Sequence, residues 1–382
     1  MLAMPPTFLI ANPENRRTTF FQEALARLSH PPATVLAYQD LLAGNVDLAE
    51  MLPPDAILRI DSPGENYEVE KALLVHGVEA AAEEGCPVLP AATARELPFD
   101  RGRILHPRQW YLGFRRLLRD WQQQLARRPD VRVMNAPADI ERMYEKPRCH
   151  AACEAAGVPV PRSLPTVRCY DELCEQMRAH DMSRVFVKLS TGSSATGVVA
   201  FQRHSTWQLA VTSAEMIRAA DGLRLYNSLR ISHYRDERDI ADLIDTLCRE
   251  QVHVEQWIPK AVLAGEEFDL RVVVIGGLAR HFVVRQSRHP MTNLHLGNRR
   301  GDAAQMLDQL GPQRWQAVQQ TCEATMRLFP ASHYAGVDIC LARGLRRHYI
   351  LEVNAFGDLL PRIEDNGFDT YTAELQSFLA KP

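Results

Sequence analysis

Apolar and polar positions repeat along this chain with two different periods, and the switches between them predict its elements. Pro6 to Asn12 is an apolar run of strand length, and Arg16 to Leu28 repeats apolar residues at helical spacing on Phe20, Phe21, Leu25 and Leu28. Asp55 to Ile60 predicts a second strand that runs into the turn Asp61-Ser62-Pro63-Gly64. A helix from Tyr67 to Glu84 and a third short strand from Cys86 to Leu89 follow. This alternation predicts a small parallel α/β layer. His106 to Arg128 reads as a connecting helix that packs its aromatic residues and turns a basic face to solvent.

Beyond it, Lys146 precedes Pro147, a residue suited to the first turn of a helix, and Gly157 closes that helix before Pro159 and Pro161. Val185 to Leu189 and Val198 to Phe201 predict a hairpin whose tip, Thr191-Gly192-Ser193-Ser194, is polar and rich in small residues. Two helical patterns, Gln208 to Ala220 and Arg238 to Cys248, flank a polar stretch to which the pattern assigns no role. "VHVEQWIPKA" alternates into Trp257-Ile258 and stops at Pro259, as a strand ending in a hinge does. "EEFDLRVVVIGGLARHFVVRQS" predicts a hairpin turning at Gly276-Gly277. Phe268, Leu270, Val272 and Val274 share one of its faces, and Asp269 and Arg271 the other. A looped stretch, an amphipathic helix from Pro312 to Leu328, and a last hairpin turning at Arg343-Gly344 complete the pattern.

Composition narrows the class. With 382 residues the chain is long enough for two or three domains. A formal charge of −3 excludes a generally basic nucleic-acid binder. The opening MLAMPPTFLIANP lacks a basic segment, and no apolar run approaches the ~18 residues of a membrane span, so a cytoplasmic protein is the expectation. The eight cysteines are scattered without zinc-site pairs of pairs and read as reduced thiols.

The chemistry concentrates in three places. Lys188 stands at the root of a glycine-containing loop whose N–H groups and hydroxyls can surround phosphate oxygens, although a plain turn with a solvated lysine has the same sequence. Lys146 at a helix N-terminus opposes the helix dipole, which an anion in contact with it would explain. In the last hairpin, Glu352 and Asn354 lie two residues apart and point to one face, with Asp338 opposite them on the partner strand. Two carboxylates and an amide suit Mg²⁺; the alternative pairs Glu352 with Arg346 or Arg347 and makes Asp338 a local cap.

This ordered set resembles the ATP-grasp superfamily over about Asn135 to Pro361. The likeness is nearest to the carboxylate-amine ligases that include the glutamate ligases of ribosomal protein tails, with D-Ala-D-Ala ligases more distant. The resemblance implies an N-terminal parallel α/β domain (1–130) and an ATP-grasp fold of two α+β subdomains (131–255 and 256–382) that clasp ATP. It implies Lys146 and Lys188 on the α- and β-phosphates, with the loop containing Ser193 and Ser194 closing over them. The backbone of Gln256 and Ile258 would read adenine, Glu255 would lie near its amino group, and Glu267 would hold the ribose. Asp338, Glu352 and Asn354 would hold Mg²⁺. Arg288, Asn293 and Arg271 would stand at the transferred phosphoryl group.

The implied activity is ATP-dependent amide formation through an acyl phosphate. Its partners would be a small-molecule or peptide carboxylate and an amine acceptor, with no nucleic acid and no membrane; a homo-oligomer is allowed. A phosphotransferase or a non-catalytic ATP-binding regulator would share the same motifs. Two departures fall on the acceptor side: Asn354 is followed by Ala355-Phe356-Gly357 without the family's proline, and Gly297 is followed by Asn298 where a second glycine is usual. Asp61, Ser62 and Gly64 stand at a strand's carboxyl end, where an acceptor could bind, but an ordinary turn has the same residues.

Overall fold

Among the residues described by the structure, a computed structural model covering 4–44, 46–192, 195–220, 222–356, 360 and 362–381, three sheets carry nearly all the strands. The first is parallel, with β1 (Thr7–Ala11), β2 (Thr34–Ala37), β3 (Ile57–Ile60) and β4 (Arg132–Val133) in the order β2-β1-β3-β4. The strands predicted at Pro6 to Asn12 and Asp55 to Ile60 are present, as is the helix Arg16–Arg27.

The predicted strand Cys86 to Leu89 is absent. The Gln109 side chain takes both polar groups of the Leu89 backbone, accepting from its N–H (2.7 Å) and donating to its carbonyl (2.9 Å), so this segment has no need of a strand neighbour. The long helix predicted from Tyr67 is broken into Tyr67–His76 and Val78–Glu83. At the break, Gly77 meets Gly113 of helix Pro107–Leu125 so closely that a Cβ on Gly77 would lie 1.9 Å from the Gln109 carbonyl oxygen. Tyr111, Phe114 and Trp121 of that helix are buried as expected and Trp110 is half-buried, but Arg108 of its basic face is buried too, paired with Glu84 (2.7 Å) and Glu145 (3.4 Å).

The second sheet is antiparallel: β5 (Arg184–Leu189), β6 (Val199–Arg203), β7 (Gln208–Ala219), β8 (Gly222–Tyr234) and β9 (Val252–Gln256), in the order β8-β7-β6-β5-β9. The helix predicted over Gln208 to Ala220 is therefore a strand. Ala210 to Ala214 are buried without interruption because both faces of β7 are covered. Ala210 and Ala214 face the core under helix Glu237–Cys248, and Val211 packs with Phe186, Met291 and Leu296. Pairing with β6 and the unassigned polar stretch, which is β8, overrides local helical periodicity.

The third sheet holds β10 (Val262–Leu263), β11 (Glu266–Ile275), β12 (Leu278–Ser287), β13 (Arg299–Arg300), β14 (Tyr334–Leu341) and β15 (His348–Asn354), ordered β13-β12-β11-β14-β15 with β10 on β11. Its tight turns fall at Gly276-Gly277 and Gly344, all at positive φ, as predicted. Phe268, Leu270, Val272 and Val274 face a core shared with helices Ala303–Leu310 and Pro312–Met326. On the opposite face, Val273, Ile275 and Val283 pack against Phe21, Leu25 and the helix Thr370–Leu379. The rest of that face bears charges and looks toward the second sheet. All eight cysteines are free, and no helix among the described residues is long and apolar enough to cross a membrane.

Where the C-terminal helix meets the first sheet, Arg59 lies among the rings of Phe21, Tyr334 and Tyr371 at 4.5–5.1 Å. It pairs with Glu374 at 2.7 Å and stands 3.7 Å from Asp61. Burial pushes the Glu374 carboxyl up to about 7 against the pull of Arg59, and the negative charges of Asp61 and Asp369 add to the rise. A carboxyl raised above its unfolded value of about 4.3 contributes stability that is complete below that pH and lost as pH climbs through the folded value. Glu374→Gln should therefore gain stability over the wild type progressively from pH 5 to pH 8 in urea titrations. A difference independent of pH would refute the assignment.

Candidate active site

Between the second and third sheets lies a cavity onto which several predicted residues converge from separate elements. Lys146 opens helix Lys146–Ala155, where its N–H donates to the Ser190 carbonyl (2.9 Å). Its ammonium donates to the Gly192 carbonyl and pairs with Glu352 at 2.9 Å. One lysine thus ties the helix N-terminus, the root of the small-residue loop and β15, and the anion expected beside it is Glu352. Ser193 and Ser194, predicted to close the loop over phosphate, lie outside the described residues.

Lys188 pairs with Glu255, which is 2 % exposed on β9. Burial works against the Glu255 charge, but Lys188 and then His253 outweigh it and hold the carboxyl at about 2. Glu255, expected near a ligand's amino group, lines the cavity with its carboxylate paired to Lys188. Gln256 and Ile258 border the same cavity. The Gln256 N–H donates to the Arg162 carbonyl (2.8 Å), so that group serves the protein. Glu267 lies half-buried on the strand face of Asp269 and Arg271. Burial raises its pKa against the pull of Lys260, Arg343 and Arg184.

On the floor of the cavity the third sheet carries a ladder of alternating charge. Asp269 accepts from Arg285 Nε (2.7 Å), from Lys260 Nζ (3.0 Å) and from Thr292 Oγ1. Arg285 reaches on to Asp338 (3.2 Å), whose two oxygens also accept from Arg271. Lys260 donates to Thr292 Oγ1 (2.8 Å) and to the Pro290 carbonyl (3.0 Å), which pins the loop carrying Asn293. Burial opposes ionisation of Asp269, yet Arg285 and Lys260 hold its carboxyl at about 2; Asp338 is likewise held below its usual range by Arg271 and then Arg285.

Lys260, Asp269 and Arg285 are not among the site residues expected from sequence: the Gly276-Gly277 turn alone would set Val284 opposite Asp269, and the register shift between Val272 and Val274 brings Arg285 there. Arg288, expected beside the transferred phosphoryl group, borders neither this cavity nor the one beside it. It follows the end of β12, its side chain is 84 % exposed, and it pairs with Glu266 at 3.0 Å.

Asp338 and Glu352 are direct cross-strand partners, and Asn354 lies opposite Gly336, to whose carbonyl it donates (3.3 Å). The predicted face is therefore real. Neither acid is paired as the alternative had it: Glu352 goes to Lys146, not to Arg346 or Arg347. Among the described residues no three His, Cys, Asp or Glu side chains form a ready metal cage, and the donor set here is two carboxylates and an amide.

A second cavity of ≈ 410 Å³ adjoins the first and shares Lys146, Gly192, Arg285, Asn293 and Glu352 with it. Arg271 and Asn354 border only this one. Ser62 reaches it from the end of β3, while Asp61 is buried beside Arg59.

This arrangement of a parallel layer followed by two facing antiparallel sheets recurs in solved structures along nearly the whole chain. The ATP-grasp ligase PsnB, in complex with a minimal precursor, Mg and ADP, aligns with a TM-score of 0.53 at 15% identity, covering 98% of this chain and 97% of that one. The chain has the ATP-grasp fold. Two further solved structures align over 98% of this chain: D-cycloserine synthetase DcsG (TM-score 0.54, 13% identity, 98% of that chain) and macrocyclase MdnC of Microcystis aeruginosa MRC bound with precursor peptide MdnA (0.53, 11%, 99% of that chain). No protein-family model and no curated protein matches the sequence.

The ladder gives a stability prediction. Asp269→Ala leaves Lys260 and Arg285 buried without their shared carboxylate, and removing one partner of a buried pair costs on the order of 3–5 kcal/mol. Urea denaturation should show a loss of that size, and a loss below about 1 kcal/mol would mean that the ladder is solvated.

Proposed function

We propose that this protein is an ATP-dependent carboxylate-amine ligase that activates a carboxylate as an acyl phosphate. The observation that carries the reading is the convergence, in one cavity of an ATP-grasp fold, of two lysines from different elements with a cross-strand pair of carboxylates. The complexes of structural neighbours with ADP and Mg support the same cofactors here, and those with precursor peptides support a peptide as one substrate class.

In this reading Lys146 and Lys188 neutralise phosphate oxygens, and Glu255 holds Lys188 in its place. Gln256 and Ile258 border the adenine end, and Glu267 is the ribose acceptor. Asp338, Glu352 and Asn354 fit a hard, oxygen-binding cation: all three are oxygen donors on neighbouring strand positions, and the two acids are already neutralised by Arg271, Arg285 and Lys146 in its absence. Mg²⁺ supplies charge neutralisation on the phosphates when bound.

The carboxylate oxygen of the substrate attacks the γ-phosphorus and ADP leaves. Arg285, rather than Arg288, stands with Asn293 and Arg271 where the transferred group would lie. An amine then attacks the acyl carbon, and phosphate departs with the carboxylate oxygen while the amine loses a proton. The loop 191–197, held at its root by Lys146, excludes water from the acyl phosphate.

Two measurements test this. Lys188→Ala should weaken Mg-ATP binding by about 1.5–3 kcal/mol, the range for a charge-assisted hydrogen bond; unchanged affinity by calorimetry in a folded variant would remove the assignment. Hydroxylamine added with ATP and a carboxylate substrate should give a hydroxamate together with ADP. Phosphate retained on the carboxylate or on a hydroxyl, without hydroxamate, would identify a phosphotransferase instead.

A further inference from the structure

The sheet face that carries Lys188 and Glu255 continues beyond the cavity. Phe186 is paired with Glu255 and Lys188 with His253, so the four side chains lie on one face, and His253 stands one rung past Glu255. His253 borders neither cavity of the site. It borders a third of ≈ 20 Å³, room for about one water, whose walls share Lys146 and Glu352 with the other two.

The Glu255 carboxylate faces two neighbours. One oxygen accepts from Lys188, and the other stands 3.6 Å from His253 Nε2. That nitrogen is buried without a hydrogen-bond partner among the described residues, so it is unsatisfied in either neutral tautomer. The imidazole is 7 % exposed, and burial lowers its pKa against the pull of Glu255; His150 and Lys188 add to the lowering. Of the groups that face it from helix Lys146–Ala155, His150 lies 4.9 Å away between ring centroids and is occupied with the Pro161 carbonyl (2.7 Å), and the thiols of Cys149 and Cys153 bring no fixed charge. Lys146 and Glu352 border the same small cavity but answer each other at 2.9 Å. Lys188 therefore keeps His253 neutral: its ammonium neutralises Glu255 and repels a second positive charge.

We infer that His253 is the reserve partner of Glu255, a positioning residue that takes up a proton when the charge of Lys188 is engaged elsewhere. The event that engages it is phosphate binding, and in this the inference rests on the ligase reading, where Lys188 meets a nucleotide phosphate. A buried carboxylate whose cation is drawn away must be protonated or gain another cation. An imidazole ordinarily titrates at about 6.5 and a glutamate at about 4.3, so the proton, taken from solvent, settles on His253. Its Nε2–H then donates to the Glu255 oxygen after a movement of about 1 Å or less. Glu255 stays ionised and in place, ready to receive Lys188 when the ligand leaves. Binding that takes up a proton weakens as pH rises, by at most about tenfold per pH unit.

The test is NMR of the full chain labelled with ¹⁵N-histidine, His253 being assigned by its loss in His253→Asn, together with calorimetry of Mg-ADP. At pH 7.5 the ligand-free wild type should show His253 as a neutral imidazole, and saturating Mg-ADP should convert it to the protonated form. Lys188→Met, which keeps the stem and removes the charge, should show the protonated form with no ligand at all. Calorimetry in buffers of different ionisation enthalpy should give a net proton uptake in the wild type that His253→Asn lacks, and from pH 6.5 to pH 8 wild-type affinity should fall about threefold or more relative to that variant. A His253 that stays neutral with Mg-ADP bound, stays neutral in folded Lys188→Met, or is protonated before ligand arrives overturns the inference. The two readings fail separately. Absence of Mg-ADP binding, with His253 protonated in Lys188→Met, would retire the nucleotide site and leave the coupling, whereas Mg-ADP binding and turnover beside a neutral His253 would do the reverse.

Discussion

The alternating ladder Lys260, Asp269, Arg285, Asp338, Arg271 is the interaction on which the rest of the site depends. Each of its charges is largely removed from water and each carboxylate accepts from at least two cationic donors, so no rung can be withdrawn without stranding its neighbours. The ladder aims Asp338 at the cavity, and through Lys260 and Thr292 it fixes the loop that carries Asn293. A face that bore apolar residues along its whole length would bury more surface. It would also have nothing with which to meet a phosphate.

Lys146 is the junction between the two antiparallel sheets. Its contacts with the Gly192 carbonyl and with Glu352 join the loop between β5 and β6 to β15, so the loop, the helix dipole and the carboxylate pair are held in one arrangement. The core divides along the same line: the second sheet has an apolar cluster of its own, while the third sheet shares a continuous cluster with helices of the first layer. A ligand bridging Lys188 and Glu352 would contact both bodies at once. That geometry makes nucleotide binding and the relative position of the sheets one problem.

The hairpins were legible because their signals are local. Gly276-Gly277 and Gly344 mark turns that only positive φ permits without strain, and alternation puts Glu352 and Asn354 on one face; that Asp338 stands directly opposite Glu352 depends on the register shift between Asp338 and Ile339. Elements decided by distant partners were not legible. Gln208 to Ala219 has helical spacing, yet β6 and β8 claim its backbone, and Leu89 is held by a glutamine twenty residues on. The site divided in the same way. The motif residues Lys146, Lys188, Asp338 and Glu352 come together, whereas Lys260 and Arg285 matter through Asp269, a contact visible only once the strands are paired. Arg288 borders neither cavity, because strand β12 ends one residue before it.

The central claim is that the carboxylate oxygen passes to phosphate, since that step separates amide formation through an acyl phosphate from every other use of ATP in this cavity. A substrate carboxylate fully labelled with ¹⁸O, incubated with ATP, Mg²⁺ and an amine that it joins, decides it by mass analysis of the inorganic phosphate. Transfer of one ¹⁸O to phosphate for each amide formed is the result this account predicts. Amide formation with phosphate labelled only from solvent water would contradict it.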